Sequence, residues 1–200
     1  MGASQLCGFT KSDPSLATPN LQFHIAPMST DKLGGDTLHK FPAFTPTICN
    51  IRPTSRGQIS IASNDTRDDP LITMNYLSTD EDKKIALKAI KITRNIILNS
   101  KAFKPYYPKE LRPGINLNDN EILSEVGKYA NTVFHPVGTC RMGIDNNAVV
   151  DNRLKLKGIQ NLRIIDASIM PHITSGNTNA PTIMIAEKGA DMVIKDSNYN

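Results

Sequence analysis

The sequence predicts an α+β fold: an antiparallel sheet with helices on one face, then a C-terminal strand and helix that belong to a different sheet. Three observations lead there. Apolar and polar residues alternate along Leu21-Gln22-Phe23-His24-Ile25 and Gln58-Ile59-Ser60-Ile61-Ala62, the period of a half-buried strand. Ile85, Ala89, Ile92 and Ile96 recur at the spacing of one helix face. A lone apolar run, Leu162 to Asp166, is followed by a helical pattern over 181–195, with no antiparallel neighbour beside either.

In chain order, residues 1–19 are rich in turn formers, with Ser12-Asp13-Pro14-Ser15 and Thr18-Pro19 as breakers. The strand at 21–25 follows, with His24 on its polar, solvent side. Residues 29–43 form a loop long enough for a lid or for a contact between copies in a homo-oligomer. Thr45 to Ile51 reads as a strand that Pro46 pushes toward an edge. The turn at 52–57 then joins it to the strand at 58–62 as a hairpin, and 71–74 is a further short strand. Ser78 with Glu81 reads as a capping box, and Asp80 and Asp82 suit the positive end of a helix running from 79 to about 99. Asn118 caps a shorter helix from 119 to about 130, after a Pro-rich connection. Ile185, Lys188, Gly189 and Met192 space the final helix, with Pro181 tolerated at its start.

Composition narrows the function. A net charge of +4 is small, and Lys83, Lys84, Lys88 and Lys91 are interleaved with Asp80, Glu81 and Asp82. That is a solvated helix face, and nucleic acid is not a favoured partner. Three scattered cysteines, Cys7, Cys49 and Cys140, give neither a disulfide framework nor a zinc motif and fit a reducing, cytoplasmic setting. No run reaches the roughly 18 apolar residues of a membrane span. Met1 to Thr10 has no signal-peptide pattern, and Leu6 stands where a myristoylation motif needs Ser or Thr. Four histidines, at 24, 39, 135 and 172, show no ligand spacing, so no metal is expected.

Chemistry-bearing residues gather in three segments: Phe134-His-Pro-Val-Gly-Thr-Cys-Arg-Met-Gly143, Asp166-Ala167-Ser168, and Ser175-Gly-Asn-Thr-Asn-Ala-Pro-Thr182. His135 suits a proton acceptor, and equally a buried structural histidine bonded to a carbonyl. Cys140 with Arg141 nearby offers a rival Cys-His hydrolase. Asp166, at the end of a strand, suits a ligand site or a simple cap. Asn177 and Asn179 precede a helix whose free N–H groups can hold an anion or an electron-rich ring oxygen, and capping accounts for them too.

These segments resemble the C-terminal part of the glucose-methanol-choline oxidoreductases, within them the choline dehydrogenase-like alcohol dehydrogenases. The resemblance runs on through Val149-Val150-Asp151, Gly158-Ile159 and Asn161-Leu162-Arg163, and upstream through Pro19 to His24, Arg52-Pro53, Ser55-Arg56-Gly57 and Asn75 to Ser78. It implies FAD in a Rossmann-like domain, to which the C-terminal strand and helix belong, and oxidation of a primary alcohol, choline-like or other, to an aldehyde. By resemblance His135 takes the hydroxyl proton while the carbinol hydrogen leaves as hydride to the flavin. Asn177 hydrogen-bonds the substrate oxygen. Phe134, Asn179 and Thr182 lie near the flavin ring, and Asp166 and Ala167 beside the ribityl-diphosphate part.

The family's Gly-x-Gly-x-x-Gly fingerprint does not occur, and Leu33-Gly34-Gly35-Asp36 is not followed by a helix pattern. Residues 1–130 are therefore expected to form most of a substrate-binding domain. Residues 131–200 supply the active-site segment and the last part of the FAD domain, with the N-terminal FAD-binding half absent. Such a fragment needs that half for activity, and passes electrons to oxygen or to a quinone, which would make it peripheral to a membrane. The alternative is a non-catalytic binding module that keeps the fold without the cofactor; the missing glycines favour it, and His135 and Asn177 oppose it.

Overall fold

The computed structural model describes residues 4–31 and 37–197. The Met-Gly start and Leu33-Gly34-Gly35-Asp36 lie outside the described residues. The fold is α+β, and the chain divides into two compact units, 1–55 with 77–133 and 56–76 with 134–200. The sequence places 56–76 with the first sheet; they group instead with the second unit.

In the first unit, β1 (Leu6–Thr10), β2 (Leu21–Ala26) and β3 (Thr45–Asn50) form an antiparallel sheet in the order β1-β2-β3. β1 falls where only turns are expected. It is a strand because Leu6 to Thr10 pair in register with Ile25 to Leu21, although Gly8 and the exposed Leu6 and Phe9 hide the alternation. His24, expected on the surface, is half-buried because β2 is the central strand.

Helix α1 (Asp80–Leu98) packs on this sheet, burying Ile85 and Ala89 against Leu21 with Ile48 and Ile92 beside them. Its cap lies one residue beyond the expected one: Thr79 Oγ1, not Ser78, accepts from Asp82 N at 3.3 Å. Asp82 is 3% exposed, and its carboxylate faces away from the helix. Oδ1 accepts from Thr54 N at 2.9 Å, Thr54 Oγ1 at 3.1 Å and Asn50 Nδ2 at 3.2 Å; Oδ2 accepts from Ser55 N at 2.8 Å. These bonds hold residues 50–55 against the helix start, so the expected hairpin between 45–51 and 58–62 does not form. Helix α2 (Asp119–Tyr129) begins at Asn118 with both bonds of a capping box. Arg94 of α1 forms a largely buried pair with Glu110, at 2.8 Å.

In the second unit, β4 (Gln58–Ser60) pairs antiparallel with β5 (Leu71–Thr73). A Cβ on Gly57 would sit 2.2 Å from Thr73 O, so only glycine admits this approach. The core is Val150, Leu154, Ile169, Met170 and Ile185, the last from helix α3 (Asn179–Ser197). Helix α3 starts two residues before Pro181, which sits in its first turn where its missing N–H costs nothing.

The apolar run at 162–166 is not a strand. A single antiparallel bridge joins Arg163 to Lys155, flanked by Leu156 N to Leu162 O and Ile164 N to Leu154 O. Its isoleucines serve packing instead: Ile164 and Ile165 lie against the core, and Ile165 fills the space beside Gly189 that a Cβ would need. Among the described residues no helix is long and apolar enough to cross a membrane.

Candidate active site

The site is built on the second unit's core. Cys140 N donates to Ser168 O at 3.0 Å and Met142 N to Ile169 O at 2.8 Å. On its other side, Val149 N donates to Arg141 O at 2.9 Å and Gly143 N to Val150 O at 3.1 Å. The segment 140–143 is thereby held between two stretches that carry buried Val150 and Ile169. Gly138 makes the turn into it at φ +93°, and a Cβ there would lie 3.2 Å from Met170 O.

His135 precedes that turn and meets the first residues around α3. Its Nε2 lies 2.7 Å from Asn177 Nδ2, and its Nδ1 lies 3.0 Å from Thr178 Oγ1. Thr178 N also donates to Nδ1, at 3.4 Å. Thr178 is 7% exposed, whereas Asn177 is exposed. Thr178 O accepts from Thr182 N at 3.0 Å and Thr182 Oγ1 at 2.7 Å, so the first turn of α3 fixes its position.

The structure thus brings His135 and Asn177 into direct contact across forty-two residues of chain. Thr182 joins them through Thr178. Asn179 is the first residue of α3 and exposed, and Phe134 is 74% exposed with left-handed backbone at φ +60°. Asp166 and Ala167 belong to a separate 3-10 turn, where the Asp166 carboxylate accepts from Ser168 N at 2.7 Å. Asp166 therefore acts as a cap in this chain, one of the two roles its sequence position allows. Thr178 is the residue sequence reasoning passed over; the available signal was a small hydroxyl residue just before a helix, which is the N-cap position.

The Cys-His hydrolase geometry is absent. Both ring nitrogens of His135 are engaged with Asn177 and Thr178. Arg141, which would have to favour a thiolate, instead holds Asp145 at 2.6 and 2.9 Å. The Arg141 guanidinium beside Asp145 keeps that carboxyl well below the usual carboxylate range.

What these residues can hold follows from their donors. An exposed aromatic ring, two exposed carboxamides and the start of helix α3 suit a flat, electron-rich heterocycle with ring oxygens. Among the described residues there is no glycine-rich strand-to-helix turn to cradle a diphosphate. The donor set fits the ring end of a flavin, not its nucleotide end.

A family model described as GMC oxidoreductase matches residues 53–186. The chain is 44% identical over 189 residues to an alcohol dehydrogenase [acceptor] of Pseudomonas putida, covering 94% of this chain and 34% of that protein. It is 43% identical over 187 residues to an oxygen-dependent choline dehydrogenase of Citrobacter koseri, covering 93% and 33%. In structure it is similar to pyridoxine 4-oxidase from Mesorbium loti, with a TM-score of 0.83 at 29% identity over 94% of this chain and 37% of that one. The chain spans about a third of the length of these curated relatives.

Proposed function

This chain belongs to the GMC oxidoreductase family, and from that premise we propose that it forms the C-terminal part of an FAD-dependent oxidoreductase that oxidises a primary alcohol to an aldehyde. The 2.7 Å contact between His135 Nε2 and Asn177 carries the reading. It sets a proton acceptor and an amide donor side by side, where one hydroxyl oxygen can replace the contact and engage both.

His135 Nε2 takes the hydroxyl proton, the role for which an imidazole is best suited near neutral pH. Asn177 donates to the same oxygen and steadies the charge that grows on it; a carboxamide cannot take the proton, so the base function rests on His135. FAD, when bound, supplies the two-electron acceptor for the carbinol hydride. Phe134, Asn179 and Thr182 would hold its ring, with the N–H groups at the start of α3 favouring negative charge there. Asp166 and Ala167 would approach the ribityl-diphosphate part from their turn.

In this proposal residues 1–130 form most of the substrate-binding domain, and 131–200 complete the active site and the FAD domain. The diphosphate-binding part of the site lies outside these residues, in an N-terminal half of the kind the longer relatives have room for. Its other partners are a small alcohol and an acceptor, oxygen or a quinone.

The test is complementation. Co-expression with the N-terminal two thirds of the Pseudomonas putida relative is expected to yield a yellow protein with alcohol-dependent dye reduction. In that complex His135→Ala should cost about 10²- to 10⁴-fold in turnover while flavin stays bound. A complex that binds flavin and keeps full turnover without His135 refutes the assignment, and a chain that never acquires flavin supports a non-catalytic module.

A further inference from the structure

We propose that the loop at 104–109, Lys-Pro-Tyr-Tyr-Pro-Lys, docks the protein on an anionic lipid bilayer, its tyrosines among the headgroups and its lysines on the lipid phosphates. Tyr106 and Tyr107 are 79% and 83% exposed, more than any other Phe or Tyr among the described residues. Two adjacent rings left in water add nothing to the core of this unit, so their place in the fold calls for another contact. Tyrosine has an apolar body and a polar tip, and it is enriched where hydrocarbon meets water.

Charge points to the same occupant. Between Asn99 and Asn118 the chain carries Lys101, Lys104, Lys109 and Arg112 against one carboxylate, Glu110. Arg94 takes up Glu110, and Asp31 takes up Arg112. Lys101, Lys104 and Lys109 are exposed and form no ion pair among the described residues. Three uncompensated lysines within nine residues stand against a net charge of +4 for the whole chain. Such a basic stretch is drawn to anionic headgroups.

The loop is held in shape from both ends. Before it, Phe103 stacks on Phe44 with ring centroids 5.7 Å apart. After it, Glu110 Oε1 accepts from Arg94 Nη2 at 2.9 Å and from Gly114 N at 3.0 Å, and Arg94 Nη2 also donates to Gly114 O at 2.8 Å. Pro105 and Pro108 each fix a φ angle between these anchors. Tyr107 closes the turn with left-handed backbone, φ +47°, and its N–H donates to Lys104 O at 3.2 Å. Docking therefore has little left to order. A folded protein partner fits less well, because six residues are few beside the roughly 20–30 a side of a stable complex. A bilayer asks for no complementary shape.

The inference goes beyond the proposed chemistry and does not depend on it. The chain has no tryptophan, so Tyr106→Trp sets a single reporter in the loop. Tyr76→Trp sets one in the second unit, where Tyr76 is 58% exposed. The full chain is mixed with vesicles of phosphatidylcholine alone or of phosphatidylcholine and phosphatidylglycerol in equal parts. The Tyr106→Trp emission should move to the blue and brighten on the mixed vesicles only, and the Tyr76→Trp emission should stay unchanged. In vesicle sedimentation, Lys104→Ala with Lys109→Ala should weaken binding about 25-fold, about fivefold for each charge, with the circular dichroism unaltered. Added salt should weaken the binding of the parent chain.

A parent chain that ignores the mixed vesicles overturns the proposal and leaves a protein as the partner of this loop. Full binding by the double lysine variant also overturns it, as does a blue shift at Tyr76→Trp as large as that at Tyr106→Trp. Vesicle binding by a complemented complex that fails to oxidise alcohols sinks the proposed function and leaves the docking loop standing.

Discussion

Replacing Asp82 should show how much of the first unit depends on one carboxylate. Its two oxygens take the backbone N–H groups of Thr54 and Ser55 at 2.9 and 2.8 Å, and alanine leaves both without their acceptor. An orphaned buried donor costs about 1–3 kcal/mol, so two cost about 2–6 kcal/mol. Thr54 itself is exposed, so water recovers part of the loss and the low end of that range applies: about 2–3 kcal/mol for Asp82→Ala.

Asparagine is the discriminating variant. Turned one way, its amide nitrogen faces Ser55 N; turned the other, it faces the three donors on Oδ1. The better orientation still loses one acceptor, so Asp82→Asn should cost about 1–2 kcal/mol. With a urea slope of about 2 kcal/mol/M, the alanine midpoint should fall by about 1–1.5 M and the asparagine midpoint by roughly half as much. The assay is urea unfolding followed by circular dichroism, with hydrogen exchange at the α1 amides to assign the change to this unit. An asparagine variant as stable as the parent, or an alanine loss under about 0.5 kcal/mol, refutes the accounting.

The same carboxylate gives a pH dependence with a definite sign. Burial would raise the Asp82 carboxyl, but the hydrogen bonds from Ser55 and Thr54 outweigh it and hold the group below its ordinary value. A folded value below the unfolded one means the stabilisation is complete above the unfolded carboxylate range, about 3.9. It is lost as pH falls through the folded value, and the Asp82→Asn chain should lack this part of the acid response.

Three further outcomes test the second unit and a contrast with α2. Gly138→Ala must place a side chain at φ +93° with its Cβ 3.2 Å from Met170 O, and should lower thermal stability by about 1–3 kcal/mol; Gly127→Ala, in α2 with nothing within 4 Å, should raise it by up to about 1 kcal/mol. Asp196 holds Arg153 at 2.6 Å, Lys155 at 3.1 Å and Arg163, which pulls its carboxyl down to about 2. Asp196→Asn should speed hydrogen exchange over the last turn of α3, less so in high salt. In the parent chain the contribution is whole at neutral pH and fades as pH falls through about 2.

What could be read from the sequence was local. Asn118 with Glu121 forms a capping box because both partners lie within one turn, and the face of Ile85, Ala89 and Ile92 is set by helical period alone. The hairpin expected after β3 does not form because Thr54 and Ser55, in the turn-like segment 52–57, donate their backbone N–H groups to Asp82, nearly thirty residues away. The run at 162–166 has strand composition, yet its isoleucines answer to a core and to Gly189 rather than to a ladder. The candidate site divides in the same way. Each residue type could be singled out in its own segment, but no spacing reveals that His135 meets Asn177, or that Thr178 sits on the ring's other nitrogen.

The discontinuity of the second unit has a consequence during synthesis. Its β4–β5 hairpin emerges with 56–76, but the stretch from 134 onward follows only after the fifty-seven residues from Leu77 to Val133. At about 5–20 residues per second, the hairpin waits about 3–11 s for that stretch to begin and about 5–19 s for its partner His172, the 3.0 Å acceptor for Arg56. Ile59, Leu71 and Ile72 remain more than half exposed even in the finished fold. A nascent chain holding such a strand pair in the open is a natural client for chaperones, so yield should respond to slower translation across 77–133 as sharply as to any substitution in the core.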